Sequence, residues 1–212
     1  MESQITEKMR SALKNFNEKN FIKSKSEFEE ILKIDAKCYQ AIFNIGIIEI
    51  NLGNNLIGQD SIEKAFKINK TKAYALALID ALILNKNFKK AEDLLKKNNQ
   101  LFKKIDENLN ILEKIHFQKS LHSISSRYND MDNENNIDFL TSLYEDAKEH
   151  IKKYQNDNIG FSIKGSVLLK ISSIKNNLDK NYDEICSSLM QSLEIDKNNI
   201  SIYNTLGLLH KK

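Results

Sequence analysis

Proline does not occur in the 212 residues, and glycine occurs only six times. A helix interior tolerates proline least, because the ring removes a donor and clashes with the preceding turn. A chain without it is free to be helical nearly throughout. Heavy use of Asn, Lys and Ile, as in AT-rich coding sequence, accounts for part of the absence. Arginine occurs only at Arg10 and Arg127, and the net charge is a mild +3 with lysines and glutamates interspersed. Nucleic-acid binding by a helical repeat calls for Arg-rich and aromatic positions on one face, so that reading ranks last. The two cysteines, Cys38 and Cys186, belong to no CxxC or Cys/His cluster and read as small buried thiols in a reducing compartment. The first residues lack the basic start and apolar core of a signal peptide. The longest apolar stretch, Tyr74 to Leu84, is interrupted by Asp80 and too short to span a bilayer. The expectation is a cytoplasmic protein with no membrane insertion.

Motifs of catalysis are missing as well. No Walker loop, GxGxxG, GxSxG or HExxH is present. His116 and His122 are spaced wrongly for two ligands on one helical face, and with His150 and His210 they read as helix-surface or partly buried side chains. The expectation is no catalytic residue, no metal and no cofactor. Lysine pairs at 89–90, 96–97 and 103–104 alternate with Glu92, Asp93 and Asp106. They read as a solvated face, with a weakly basic patch for an acidic partner as the other reading.

What the sequence does contain is a repeat. At a spacing of 34, Ala12 pairs with Gly46, Ser24 with Gly58, Phe28 with Ile62, Ile31 with Ala65, Leu32 with Phe66 and Ile34 with Ile68. At a spacing of 161, Phe21 maps onto Tyr182, Phe28 onto Leu189, Leu32 onto Leu193, Asp35 onto Asp196, Ile45 onto Leu206 and Gly46 onto Gly207. Phe21, Ser24, Phe28, Ile31 and Leu32 recur at three and four, the stripe of an amphipathic helix, and so do Ile42, Ile45 and Gly46. Polar turns at Asn17–Asn20 and Gly53–Asn55 separate the stripes. The unit is helix–turn–helix, with small residues where two helices cross closely.

Ile42-Phe43-Asn44-Ile45-Gly46 and Tyr203-Asn204-Thr205-Leu206-Gly207, the turn-plus-aromatic pairs Asn20-Phe21 and Asn181-Tyr182, and the closing Leu32-Lys33-Ile34-Asp35 and Leu193-Glu194-Ile195-Asp196 together resemble the tetratricopeptide repeat family. The family's terminal proline is replaced by Ala36, Lys70 and Lys197, and Ile185 stands where a small residue is usual. The resemblance implies an all-α fold, a right-handed α-solenoid of about five units with an irregular middle one. Three repeats are expected over 1–104, the third one residue short in its turn. An expanded helical unit with a polar loop at 129–136 follows over 105–157, and a C-terminal repeat plus a half repeat over 158–212. Gly165 or Ser173 fills the small position of the last full repeat.

In this family the first helix of each pair lines a concave face. The residues this places in a groove are Met9, Leu13, Phe43, Asn44, Ile47, Tyr74, Leu78 and Ala81. The resemblance implies a non-catalytic scaffold that takes a peptide or helix of another protein there. The clamp that grips a chaperone's C-terminal carboxylate would fall on Met9, Leu13, Asn44, Tyr74 and Leu78, with no cation among them, which argues against that partner. An asparagine ladder would fall on Arg10, Asn44, Leu78 and Thr205, of which only Asn44 fits. The alternative is the repeat arm of a larger enzyme, of glycosyl- or sulfotransferase type, whose catalytic domain is not in this chain. The partner's identity and the oligomeric state stay open.

Overall fold

The computed structural model describes residues 2–102, 105–131 and 135–210, with only the backbone for Glu2, Ser3 and Ile105. Among them the regular structure is helical: α1 (Glu2–Asn17), α2 (Phe21–Ile34), α3 (Tyr39–Asn51), α4 (Asn55–Ile68), α5 (Lys72–Leu84), α6 (Phe88–Lys97), a 3-10 turn (Asn99–Leu101), α7 (Ile105–Asn129), α8 (Ile137–Lys153), α9 (Asn158–Ile174), α10 (Leu178–Ile195) and α11 (Ile200–Leu209). The chain divides into two compact units, Met1–His116 and Phe117–Lys212, with the boundary inside α7. Lys103–Lys104, Lys211–Lys212 and the centre of the expected 129–136 loop lie outside the described residues.

In the first unit α1/α2, α3/α4 and α5/α6 form three antiparallel pairs joined by the same turn. Lys19, Gly53 and Lys86 each take positive φ, at 60°, 86° and 61°. The asparagine that follows each one, Asn20, Asn54 or Asn87, donates its backbone N–H to a carbonyl five residues back, at 2.8 Å in all three. Left-handed backbone is unfavourable for lysine, so its recurrence at Lys19 and Lys86 shows how strongly the turn is specified by the two helices it joins. These markers are 34 residues apart from the first pair to the second, and 33 from the second to the third. The missing residue is not in the turn of the third pair. It is in the connection before it, Asn69–Thr71, which is shorter than the corresponding connection between α2 and α3. The shift moves every position of α5 by one relative to α3.

Small residues let each pair close. Ala12 is fully buried, and the Ser24 hydroxyl donates to its carbonyl at 2.8 Å. In the next pair a Cβ on Gly46 would lie 2.9 Å from the Gly58 carbonyl oxygen, and one on Gly58 would lie 2.6 Å from the Gly46 carbonyl oxygen. The two backbones therefore touch, and no side chain fits between them. Phe28, Ile31, Ile48, Ile62, Ala65, Ile79 and Ala91 fill the core on either side of these crossings.

Successive pairs are tied by a polar clamp that recurs in step with the repeat. Glu49, only 3% exposed, meets Lys25 of the preceding pair at 2.7 Å and accepts from the Asn54 amide at 2.7 Å. One repeat on, Gln59 stands where Lys25 stood, and its carbonyl accepts from Asn85 at 2.9 Å and from Asn87 at 3.3 Å. Hydrogen bonds from Lys25 and then Asn54 hold the Glu49 carboxyl below its ordinary 4.5, against the opposing effect of burial.

In the second unit, Leu121, Ile124 and Tyr128 of α7 pack with α8 and α9, and α9, α10 and α11 share a further core around Ile185 and Leu189. The turn with positive φ falls at Asn176, and Asn177 N–H donates to Ser172 O at 3.1 Å. The sequence reading placed this turn at Asn181-Tyr182. Asn181 instead lies within α10 and its amide donates to Ser172 Oγ at 2.8 Å. Helices α9 and α10 have 17 and 18 residues against 13 and 14 in α3 and α4, one further turn each. The spacing of 161 holds only after that insertion: Asp35 and Asp196 both cap the helix end and accept a backbone N–H two residues on, at 2.9 and 3.1 Å. Of the two candidates for the small position Gly165 is the one used, since a Cβ there would lie 2.7 Å from Leu189 Cδ2. Ser173 is exposed.

Two predictions follow from these contacts. Gly58→Ala overpacks a backbone crossing and should cost about 1–3 kcal/mol, whereas Gly207, with open space where its Cβ would be, should accept alanine with a gain of up to about 1 kcal/mol. Urea-unfolding midpoints distinguish the two; equal effects would contradict the crossing. For the clamp, Glu49→Gln should cost about 1–3 kcal/mol at neutral pH. A depressed carboxyl contributes stability above its unfolded value and loses it as pH falls through the folded one. The gap between parent and variant should therefore shrink below about pH 4.5, and a gap independent of pH would contradict the ion pair.

Candidate partner-binding face

First helices of the first unit present an apolar strip whose centre is aromatic. Phe43 of α3 and Tyr74 of α5 pack with ring centroids 4.4 Å apart, and Tyr39, one turn before Phe43, meets Tyr74 edge-on at 6.0 Å. All three rings are half-buried. Burial, and after it the neighbouring Tyr39 and Cys38, raises the Tyr74 phenol above its ordinary value. Ile47, Leu76 and Ala77 extend the strip, each half-buried and packed on the core beneath. Asn44 is half-buried with its amide turned to Gln40 O of its own helix, at 2.7 Å. On the side of α7 the strip ends at an exposed ion pair, Asp80 with Lys114 at 2.7 Å.

The structure thus brings together Phe43, Ile47 and Tyr74 of the expected groove residues, and sets Asn44 beside them. Met9 is half-buried and Leu13 is 38% exposed, at the equivalent positions of α1. Leu78 and Ala81 are corrections. They are 3% and 2% exposed and belong to the core of the first unit. The residue lost before α5 is the reason: with a step of 33, the positions equivalent to Phe43, Asn44 and Ile47 are Leu76, Ala77 and Asp80. Tyr39, Leu76 and Ala77 were missed by sequence reasoning. The signal that would have found the last two was Asp80, whose charge marks the outward side of an otherwise apolar helix.

One constellation in the second unit has the residue types of a hydrolase. Ser120 Oγ lies 2.8 Å from His150 Nδ1, and His150 Nε2 lies 2.9 Å from Asp157 Oδ2. His150 is not the surface or partly buried histidine expected, since its side chain is 0% exposed. Phe117 and Tyr154 pack against the ring at 5.6 and 4.9 Å. Asp157 is also the N-cap of α9, accepting from Ile159 N at 3.3 Å and Gly160 N at 2.9 Å. A Cβ at Gly160 would sit 3.0 Å from His150 Cδ2, so the ring is pressed against the start of α9. A general base must reach a substrate, and this ring offers no exposed surface to one. The three residues join α7, α8 and α9 and cap a helix.

No protein-family model matches the chain, and no curated protein matches it. Solved structures do. YrrB, described as a TPR protein with an unusual peptide-binding site, is 13% identical with a TM-score of 0.50 over 94% of this chain and 90% of its own. MamA protein is 13% identical with a TM-score of 0.51 over 95% and 96%. The 41-end form of MamA from Desulfovibrio magneticus RS-1 is 10% identical with a TM-score of 0.50 over 92% and 97%. Likeness at these identities defines the fold: the chain is an all-α protein of tetratricopeptide type, built of helix–turn–helix repeats. Among the described residues no helix is long and apolar enough to cross a membrane.

Proposed function

We propose that the chain is a non-catalytic scaffold that binds a peptide or helix of another protein on the first-helix face of its first unit. The observation that carries this reading is the strip of half-buried rings and aliphatic side chains, Tyr39, Phe43, Ile47, Tyr74, Leu76 and Ala77, bounded on α5 by Lys72 and Asp80. Aromatic rings anchored on rigid helices lose little conformational freedom on binding and supply large contact area. YrrB, a TPR protein of like fold, carries an unusual peptide-binding site, which is the precedent for peptide binding by a repeat protein of this size. None of Met9, Leu13, Asn44, Tyr74 and Leu78, where a carboxylate clamp would fall, is a cation, which favours a ligand held by apolar contact over a terminal carboxylate.

A displayed peptide library selected on the chain tests this. Enriched peptides should carry two or more large apolar residues at helical or alternate spacing. Their affinity for Phe43→Glu should fall by about tenfold or more, equivalent to roughly 1.4 kcal/mol or above, with the far-UV circular dichroism of the variant unchanged. Peptides that bind parent and variant alike would place the function elsewhere.

A further inference from the structure

Helices α4, α5 and α6 of the same unit line a separate, open cavity of about 270 Å³. Its floor is apolar, formed by Phe66 of α4, Leu78 and Leu82 of α5, and Leu94 of α6. Its rim is charged: Glu63, Lys67, Lys70, Lys90, Asp93 and Lys97. Glu63 and Lys67 neutralise each other at 2.6 Å. What remains is three exposed lysines, Lys70, Lys90 and Lys97, against the single carboxylate of Asp93. Two of those lysines come from the pairs that read, in sequence, as a solvated face. Folding sets them around a hollow lined by leucine and phenylalanine.

We propose that this cavity is a second docking site, and that its occupant is an acidic amphipathic segment of a partner protein. One or two large apolar side chains seat on Phe66, Leu82 and Leu94, and flanking carboxylates lie against Lys70, Lys90 and Lys97. Charge complementarity selects the sign of the occupant, and the spacing of the lysines selects its kind. Lys90 and Lys97 are two turns apart on α6, roughly 10 Å at 1.5 Å per residue. A small amphiphile has one carboxylate and satisfies one of them. Carboxylates spaced along a polypeptide, about three residues apart if extended at roughly 3.3 Å each or two turns apart if helical, satisfy both. The site does not involve Tyr39, Phe43 or Tyr74, so it stands or falls apart from the first-helix face.

The test is fluorescence anisotropy with a labelled peptide that carries two leucines between glutamates, beside the same peptide with every glutamate replaced by glutamine. The parent should bind the glutamate peptide with an affinity that falls as salt rises, and the glutamine peptide about tenfold or more weakly. Lys90→Glu/Lys97→Glu, which alters only exposed side chains, should lose the glutamate peptide while keeping its circular dichroism. Phe43→Glu should retain that peptide. Equal binding of both peptides, or undiminished binding by the charge-reversed variant, would overturn the proposal. So would displacement of no peptide but saturable binding of decanoate at Lys90 and Lys97, which would make the ligand a small amphiphile.

Discussion

Contact between two backbones, at Gly46 and Gly58, is the constraint on which the geometry of the first unit depends. Where helices α3 and α4 cross, each glycine occupies the space that the other's Cβ would need. Close crossing brings Ile48, Ile62 and Ala65 into full burial, and burial of that apolar surface is the main favourable term in folding. It also fixes the rotation of α3 about its own axis. With Gly46 committed to α4, Phe43 and Ile47, about 60° and 100° round the helix from it, turn toward α5, where Tyr74 packs on Phe43. The proposed ligand face is thus a consequence of the crossing and not a separate feature.

The turns carry this geometry from one pair to the next. Lys19, Gly53 and Lys86 hold the same left-handed backbone, and one repeat on from the clamp of Lys25, Glu49 and Asn54 an amide clamp has Gln59 in the place of Lys25 and Asn87 in that of Asn54. A charged pair and a neutral pair can exchange here because in each a buried side-chain oxygen accepts from the asparagine of the following turn, Asn54 or Asn87. That equivalence explains how the repeats tolerate such divergence in sequence while the stacking is preserved.

Helix existence, the helix–turn–helix unit and the small residues at crossings were all readable from spacing, because amphipathic stripes in α2, α4 and α10 have a polar side that fixes their phase. Helix α5 has almost none. Ala73 to Leu84 is apolar on every side except at Asp80, so registers of 33 and 34 both give an apolar stripe, and a residue lost in the connection before α5 looks the same as one lost in the turn after it. That ambiguity is what put Leu78 and Ala81 in the groove in place of Ala77 and Asp80. The extra turn in α9 and α10 was hidden in a similar way: Asn181-Tyr182 imitates Asn20-Phe21, while the true turn at Asn176-Asn177 is an equally ordinary pair of asparagines. The Ser120–His150–Asp157 line was out of reach, since its members lie on three elements and no local pattern links them.

Solvent accessibility at single residues tests the central assignment, that Phe43 and Ala77 face a ligand and Ala81 does not. In a background of Cys38→Ser and Cys186→Ser, the variants Phe43→Cys, Ala77→Cys and Ala81→Cys would be labelled with a maleimide, alone and with a selected apolar peptide present. The account predicts fast labelling at the first two positions, slowed by the peptide, and slow labelling at the third in both conditions. Labelling of Ala81→Cys as fast as Ala77→Cys, or rates at Phe43→Cys and Ala77→Cys that bound peptide leaves unchanged, would contradict it.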